Sequence, residues 1–189
     1  MYKKQMLVEK IVCFAVLAAA VLIFIYSLGL VTDLHYNNFA YYAEDPENPM
    51  FDGANIYNEI QPFNQLLTKA GLALILSALS LFVFGAHKRR KYYLGNYITI
   101  GLNSALTIGV SVWGIRNVIK YKAMYHQIDF AALEKYQKLF KKTYDISDFW
   151  FNVGFYVFGI AIFVSVLSLL NLAFKVFVMR SERKLLEEV

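Results

Sequence analysis

The sequence has little charge and almost no cysteine. Of its 189 residues, 17% are charged and 58% are apolar or aromatic, whereas a soluble domain has about 25% charged and about 45–50% apolar residues. Cys13 is the only cysteine, so no disulfide can form within the chain. No Asn-x-Ser/Thr glycosylation acceptor occurs either. The low charge excludes an ordinary soluble domain, and the other two absences fit a protein of the bacterial cytoplasmic membrane.

Motifs for catalysis and for cofactor binding are also missing. The chain has no glycine-rich phosphate loop, no serine elbow and no zinc-protease helix. Asp33 and His35 could share a metal with an acid of the following segment, but nothing in the spacing makes three ligands converge. The net charge of +5 lies mostly beside apolar blocks, where Lys and Arg orient membrane helices. We therefore expect no enzyme activity, no cofactor, no metal and no nucleic-acid partner.

Four apolar blocks are long enough to cross a bilayer. They span residues 11–31, 66–86, 97–115 and 149–174. The first block would extend about 31 Å as a helix, which matches the hydrocarbon thickness of a membrane. It is also longer than the apolar core of a signal peptide, so we expect it to remain uncleaved. The predicted fold class is an all-α integral membrane bundle of four helices, with residues 1–189 forming one domain.

Lysine and arginine predict which side of the membrane each end of the bundle faces. Lys88–Lys91 is a run of four cations, and both termini are basic beside their apolar blocks. The positive-inside rule places this run and both termini in the cytoplasm. Residues 32–65 then form an outer loop that contains six acids and no lysine or arginine. Residues 116–148 form a second outer loop, although their seven lysines and arginines run against the rule.

The loop at residues 32–65 is rich in aromatic residues and in turn formers. Asp45–Pro49 cannot form a regular helix, and Asp52 is a candidate cap for a short helix over residues 54–60 that Pro62 would end. The aromatic side chains must pack, either locally and at the membrane interface or in a ligand or partner site. The interaction candidates in this loop are Tyr41, Tyr42, Glu44, Asp45, Glu47 and Phe51.

The loop at residues 116–148 contains a predicted amphipathic helix. Asp129 is a candidate N-cap, and Ile128 and Leu133 have the spacing of a hydrophobic staple. Apolar residues and lysines occupy opposite halves of this helix, so it could lie on the bilayer or dock on a protein. Its interaction candidates are Lys135, Lys138, Lys141 and Lys142. These cations could pair with the acids of the first loop and form a small cap on the outer face.

Small and polar residues recur at helical spacing inside the last three apolar blocks. Small residues let membrane helices approach closely, within one chain or between chains. The helix-packing candidates are Gly71, Ala78 and Gly85 in the second block, Gly101, Ala105 and Gly109 in the third, and Gly154, Ala161 and Ser168 in the fourth. A polar stripe in the third block consists of Asn103, Ser104, Thr107 and Ser111. Hydrogen bonds between helices are the simpler explanation for this stripe, and a solute pathway is the alternative.

Three functions are compatible with this pattern. The first is a non-catalytic subunit or accessory protein that packs in the lipid bilayer with a partner membrane protein. The second is a pore or small-solute transporter formed by self-association, with the polar stripe as its lining. The third is a sensor or ligand-binding module that uses the first outer loop. The sequence places no Asp, Glu, Arg or His near the middle of any block, which disfavours a proton relay.

Overall fold

The structure, a computed structural model, describes residues 2–36, 50–85, 93–140 and 146–187. Regular structure in these ranges is helical throughout: α1 (Tyr2–Tyr36), α2 (Ile56–Gly85), α3 (Tyr93–Tyr125), α4 (Phe130–Phe140) and α5 (Phe149–Glu187). Four of the helices are long and apolar enough to cross a membrane, over Leu7–Leu30, Ile56–Phe84, Asn96–Tyr125 and Phe149–Val178. The prediction of an all-α chain with four such helices is confirmed.

The helices extend beyond the apolar blocks that mark them in the sequence. α2 begins at Ile56 and runs through Pro62 without interruption, so the prediction that Pro62 ends a short helix over residues 54–60 is wrong. A proline inside a helix removes one backbone hydrogen bond. Tertiary packing holds this part of α2, because Ile60 and Phe63 on either side of the proline are buried in the core.

The four long helices form a ring in which each packs on two neighbours. α1 packs against α2 and α5, and α3 packs against the same two helices. The chain therefore runs up and down, which brings Glu9, Asn96 and Lys175 together at one end of the bundle. We call this the terminal end, because α1 begins and α5 ends on this side of the bundle. The opposite end, where Asp52 contacts Asp129, is called the loop end.

The outside of the bundle is apolar, and its mainly apolar interior also contains buried polar side chains. Large side chains such as Phe14, Leu76 and Phe163 are more than 60% exposed on the outside. Ser104 and Ser111 of α3 are buried inside. A soluble protein rarely exposes so continuous an apolar surface, whereas lipid chains solvate an apolar exterior. The exterior and the helix lengths together indicate an integral membrane protein.

The buried apolar residues fall into two clusters. The larger cluster includes Tyr26, Phe63, Val118, Tyr125 and Phe158 and continues to the loop end. The smaller cluster lies toward the terminal end and consists of Cys13, Val16, Ala78, Leu81, Ile100 and Val164. Polar side chains occupy much of the interior beside this smaller cluster.

The segments between helices meet at the loop end through backbone and apolar contacts. The Asp129 N–H donates a hydrogen bond to the Asp52 carbonyl over 3.1 Å. Gly53 has φ +86°, and a Cβ at this residue would lie 2.8 Å from Ile128 Cγ1. Only glycine combines this backbone conformation with so close an approach. The two segments therefore do touch, while their predicted pairing through acidic and basic side chains stays a prediction.

The start of α4 agrees with the sequence. The Ala132 N–H donates to Asp129 Oδ1 over 3.0 Å, and the Leu133 N–H donates to the Asp129 carbonyl over 3.0 Å. Ile128 and Leu133 are both buried in the larger apolar cluster. These contacts confirm Asp129 as the N-cap of a helix whose apolar side faces the bundle.

Candidate functional site

A buried ion pair closes the interior at the terminal end. Lys175 Nζ lies 2.8 Å from both carboxylate oxygens of Glu9, and the two side chains are only 5% and 7% exposed. Asn96 Nδ2 donates to Glu9 Oε1 over 2.9 Å. Gln5 Nε2 donates to Glu9 Oε2 over 3.2 Å. Each carboxylate oxygen thus accepts two hydrogen bonds, and the four residues join α1, α3 and α5.

Helical spacing places these polar residues on the inward faces of their helices. Gln5 and Glu9 are one turn apart, and the buried positions Cys13 and Val16 continue the same face of α1. On α5, Lys175 follows Asn171 at the same spacing. The cluster is therefore the polar continuation of the core toward the terminal end.

The ion pair contributes to stability only if both buried charges keep their partners. Removing a charge from water costs several kcal/mol, and attraction and hydrogen bonds offset that cost only if the partners are well placed. Here both oxygens of Glu9 and the ammonium of Lys175 are engaged. The arrangement therefore ties three helices together at the terminal end.

The polar stripe of α3 faces the inside of the same chain. Asn103, Ser104, Thr107 and Ser111 are each at most 2% exposed. Asn103 Nδ2 donates to Ser77 Oγ of α2 over 3.0 Å, which is an interhelical bond of the predicted kind. Thr107 Oγ1 donates back to the Asn103 carbonyl over 2.8 Å.

Several of the buried polar atoms find no hydrogen-bond partner among the described residues. They are Gln5 Oε1, Asn103 Oδ1, Ser104 Oγ, Ser111 Oγ, Asn171 Oδ1, Asn64 Oδ1 and the Tyr26 hydroxyl. Most buried polar groups in proteins are paired with protein or with water. So many unpaired atoms in one interior call for an explanation.

Small residues of α2 and α5 serve close contacts within the chain. A Cβ at Gly71 would lie 3.1 Å from Phe24 Cα, so α1 and α2 approach closely there. Gly154 accommodates the Tyr26 ring in the same way. Ala78, Ala161 and Ser168 are buried, and Gly85 is the last residue of α2.

The small residues of α3 lie on the outside instead. A Cβ at Gly101 or Gly109 would meet no atom within 4 Å, and Ala105 between them is exposed. We call these three residues the α3 outer face. Gly109 and Ala105 also line an apolar hollow of about 350 Å³ between α2 and α3, together with Leu66, Ala70, Leu106, Val110 and Trp113.

A second polar cluster lies where α3 and α5 meet at the loop end. Lys122 Nζ lies 2.8 Å from Asp148 Oδ2 and donates to Asn152 Oδ1 over 2.6 Å. His126 Nε2 lies 3.6 Å from the same Asp148 oxygen. The hydrogen bond and charge of Lys122 hold the pKa of Asp148 below its ordinary value. The Asp148 carbonyl also accepts the Phe151 N–H at the start of α5.

The outer-loop candidates are only partly within the described residues. Phe51 is buried in the larger apolar cluster. Lys138 pairs with Glu134 one turn away in α4, at 2.9 Å, and Lys135 is exposed. The remaining candidates lie outside the described residues: Tyr41, Tyr42, Glu44, Asp45, Glu47, Lys141 and Lys142.

Sequence reasoning did not select Gln5, Glu9 or Asn96, and it used Lys175 only to orient α5. One signal was available: Glu9 is the only acid before residue 33, and it lies four residues from Gln5 and from Cys13.

No group of three His, Cys, Asp or Glu able to hold a metal occurs among the described residues. We find no match to this chain among protein-family models, curated proteins or solved structures.

Proposed function

We propose that the protein is a non-catalytic membrane subunit that packs against a partner membrane protein through the α3 outer face. The observation that carries this proposal is the contrast between the small-residue faces of the bundle. Those of α2 and α5 are used within the chain, whereas Gly101, Ala105 and Gly109 face outward beside open space. Four-residue spacing of small residues is typical of close helix–helix crossings in membranes.

The hollow beside this face supports the same proposal. Its lining is apolar, and Leu66 and Trp113 flank the smaller Ala105 and Gly109. A transmembrane helix of a partner would place side chains in the hollow and its own backbone near the two glycines. Packing of this kind supplies the van der Waals contact on which association in lipid depends.

A pore formed by self-association is less well supported. Such a pore would need the polar stripe of α3 at an interface between chains. Ser104, Thr107 and Ser111 instead face the interior of one bundle at 0–2% exposure. A transport function would therefore have to use the interior of the single chain.

We propose the cytoplasmic membrane of a bacterium as the location, with both termini inside. The basic run Lys88–Lys91 and the acidic segment 32–65 support this orientation. A sensor role for the first loop stays a second proposal, because most of its candidate residues lie outside the described residues. An unchanged cellular phenotype after deletion of residues 41–58 would exclude the sensor role.

The experiment is a tagged pull-down from native membranes in mild detergent, with mass spectrometry and particle mass. We compare the wild type with Gly109→Ile, which fills the α3 outer face. Gly159→Ile is the matched control, because Gly159 of α5 also lies beside open space. We expect Gly109→Ile to lose a stoichiometric partner that Gly159→Ile retains. Equal retention by both variants would contradict the proposed face, and a homo-oligomer would make a second copy the partner.

A further inference from the structure

We propose that the hollow between α2 and α3 binds an anionic phospholipid of the leaflet at the loop end. One acyl chain of the lipid fills the hollow, and Lys69 of α2 and Arg116 of α3 bind its phosphate. This inference goes beyond the proposed packing of the α3 outer face, because it concerns the chain without a partner. The lipid is what a partner helix would displace from the hollow.

The two cations lie at the level of one membrane surface. Asn96 binds Glu9 at the terminal end, and Arg116 lies about 30 Å farther along α3 at the rise of an α-helix. The residue before Lys69 donates a hydrogen bond to Ser27 Oγ over 2.9 Å, and Ser27 lies about 27 Å beyond Glu9 along α1. These lengths match the hydrocarbon thickness of a bilayer, about 30 Å. Both cations therefore lie where lipid phosphates begin.

Neither cation has a counter-charge within the described part of the chain. Lys69 and Arg116 are both exposed on the outside of the bundle, and neither forms an ion pair with another described residue. Lys122, at the same end, pairs with Asp148 instead. Lys69 is also the only charged residue within the four apolar blocks. A lysine at this depth keeps its stem among acyl chains and extends its ammonium to the headgroups.

The hollow adjoins the two cations on their membrane side. Lys69 follows Leu66 by three residues, and Arg116 follows Trp113 by three, so each cation neighbours a side chain that lines the hollow. The lining continues toward the terminal end through Gly109 and contains no charged residue. An unfilled void loses van der Waals contact, so an acyl chain enters the hollow whenever no protein does.

The charge of the rim determines which lipid is preferred. Basic side chains between transmembrane helices are typical of sites for anionic headgroups. A zwitterionic headgroup brings its own cation close to Lys69 and Arg116, whereas an anionic headgroup brings none. The site also gives a reason for Arg116, one of the cations that run against the positive-inside rule in residues 116–148.

The test uses Trp113 as a fluorescent reporter, because its side chain lines the hollow. The chain has 2 tryptophans, and Trp150→Phe leaves Trp113 as the only one. The full-length protein is placed in phosphatidylcholine nanodiscs that contain increasing fractions of brominated phosphatidylglycerol or brominated phosphatidylcholine. Bromine quenches a tryptophan that it contacts, so the two quenching curves give the relative affinity of the two lipids for the hollow. Helical content and particle size establish that each variant is folded.

We expect phosphatidylglycerol to bind beside Trp113 at least about five-fold more tightly than phosphatidylcholine, because each cation near the headgroups attracts an anionic lipid. Lys69→Gln with Arg116→Gln should abolish this preference. Lys10→Gln with Arg180→Gln is the matched control, since it removes two exposed cations near the terminal end. The control should keep the preference.

Trp113→Phe provides a second control, because it leaves Trp150, which packs against α1 on another side of the bundle. A preference at Trp150 as strong as at Trp113 would overturn the proposal, since the lipid would then gather around the whole chain. Equal affinity of the two lipids beside Trp113 would also overturn it, as would a preference that survives the loss of both cations. Because no partner is present, these outcomes are independent of the pull-down, and failure of the partner proposal leaves the lipid site unaffected.

Discussion

Gly114 illustrates how single residues set the distance between helices in this bundle. It lies on α3 against the ring of Phe158 on α5, and a methyl group there would overlap the ring. We predict that Gly114→Ala lowers the free energy of unfolding by about 1–3 kcal/mol, because the core must shift to admit the methyl group. Gly109→Ala is the matched control, since its methyl group would meet nothing. Equal stability of the two variants against denaturing detergent would contradict the packing described.

Asp148 provides a prediction for the effect of pH. Because Lys122 lowers its pKa, the folded state binds the proton of Asp148 less tightly than the unfolded chain does. The resulting stability is present above the ordinary carboxyl pKa and disappears as pH falls through the lower folded value. We therefore expect the Tm to fall as the pH drops below about 4, and to fall less steeply in Asp148→Asn. Parallel curves for the two proteins would show that Asp148 makes no such contribution.

The residue that sequence reasoning could not find was Glu9. α1 is apolar on all sides over Ile11–Val31, so no periodicity shows which side faces its neighbours. The inward side became identifiable only from the residues that α1 contacts. Lys175 and Asn96 are far from Glu9 in sequence, and only the ring of helices brings them to it. The polar stripe of α3 was found because its spacing is visible within one helix.

At the scale of elements, α4 depends on its N-cap. The Asp129 carboxylate accepts the Ala132 N–H. We predict that Asp129→Ala lowers the free energy of unfolding by about 1 kcal/mol, because the first turn of α4 loses its side-chain acceptor. Asp129→Asn is the control, since asparagine caps helices about as well as aspartate. Circular dichroism recorded during denaturation gives the free energy of unfolding of both variants. An equal loss of stability in both variants would assign the effect to the charge of Asp129 instead of to its capping hydrogen bond.

Helix boundaries were predicted less well than the apolar blocks. Apolar sequence marks the part of a helix that lipid surrounds, but it does not mark a polar extension. α3 continues to Tyr125, inside the predicted second outer loop, since Tyr121 and Tyr125 are buried in the core. The Tyr121 hydroxyl also donates to the Glu59 carbonyl of α2. Such contacts between distant segments hold the extensions in place, and single-helix patterns do not contain them.

At the scale of the whole molecule, the interior changes character along its length. The loop half is filled mainly by aromatic and branched side chains, with single polar contacts such as the hydrogen bond from Thr68 Oγ1 to Ser27 Oγ. The terminal half combines a small apolar cluster with polar atoms and the Glu9–Lys175 pair. The terminal end is therefore the part of the interior whose stability depends on a charged pair.

The ion pair gives the last prediction, because it joins α1 to α5 and its carboxylate also accepts a hydrogen bond from Asn96 of α3. We predict that Glu9→Gln and Lys175→Gln each lower the free energy of unfolding by about 3–5 kcal/mol, since each leaves one buried charge without its counter-charge. The double variant should cost less than the sum of the two, because it leaves no charge behind. Lys10→Gln, an exposed neighbour of Glu9, should cost no more than about 0.5 kcal/mol. Unfolding in denaturing detergent gives the free energy of unfolding of all four variants. Additive losses would mean that the two charges do not interact in the membrane, and the hydrogen bonds from Asn96 and Gln5 would then be what stabilises the Glu9 carboxylate.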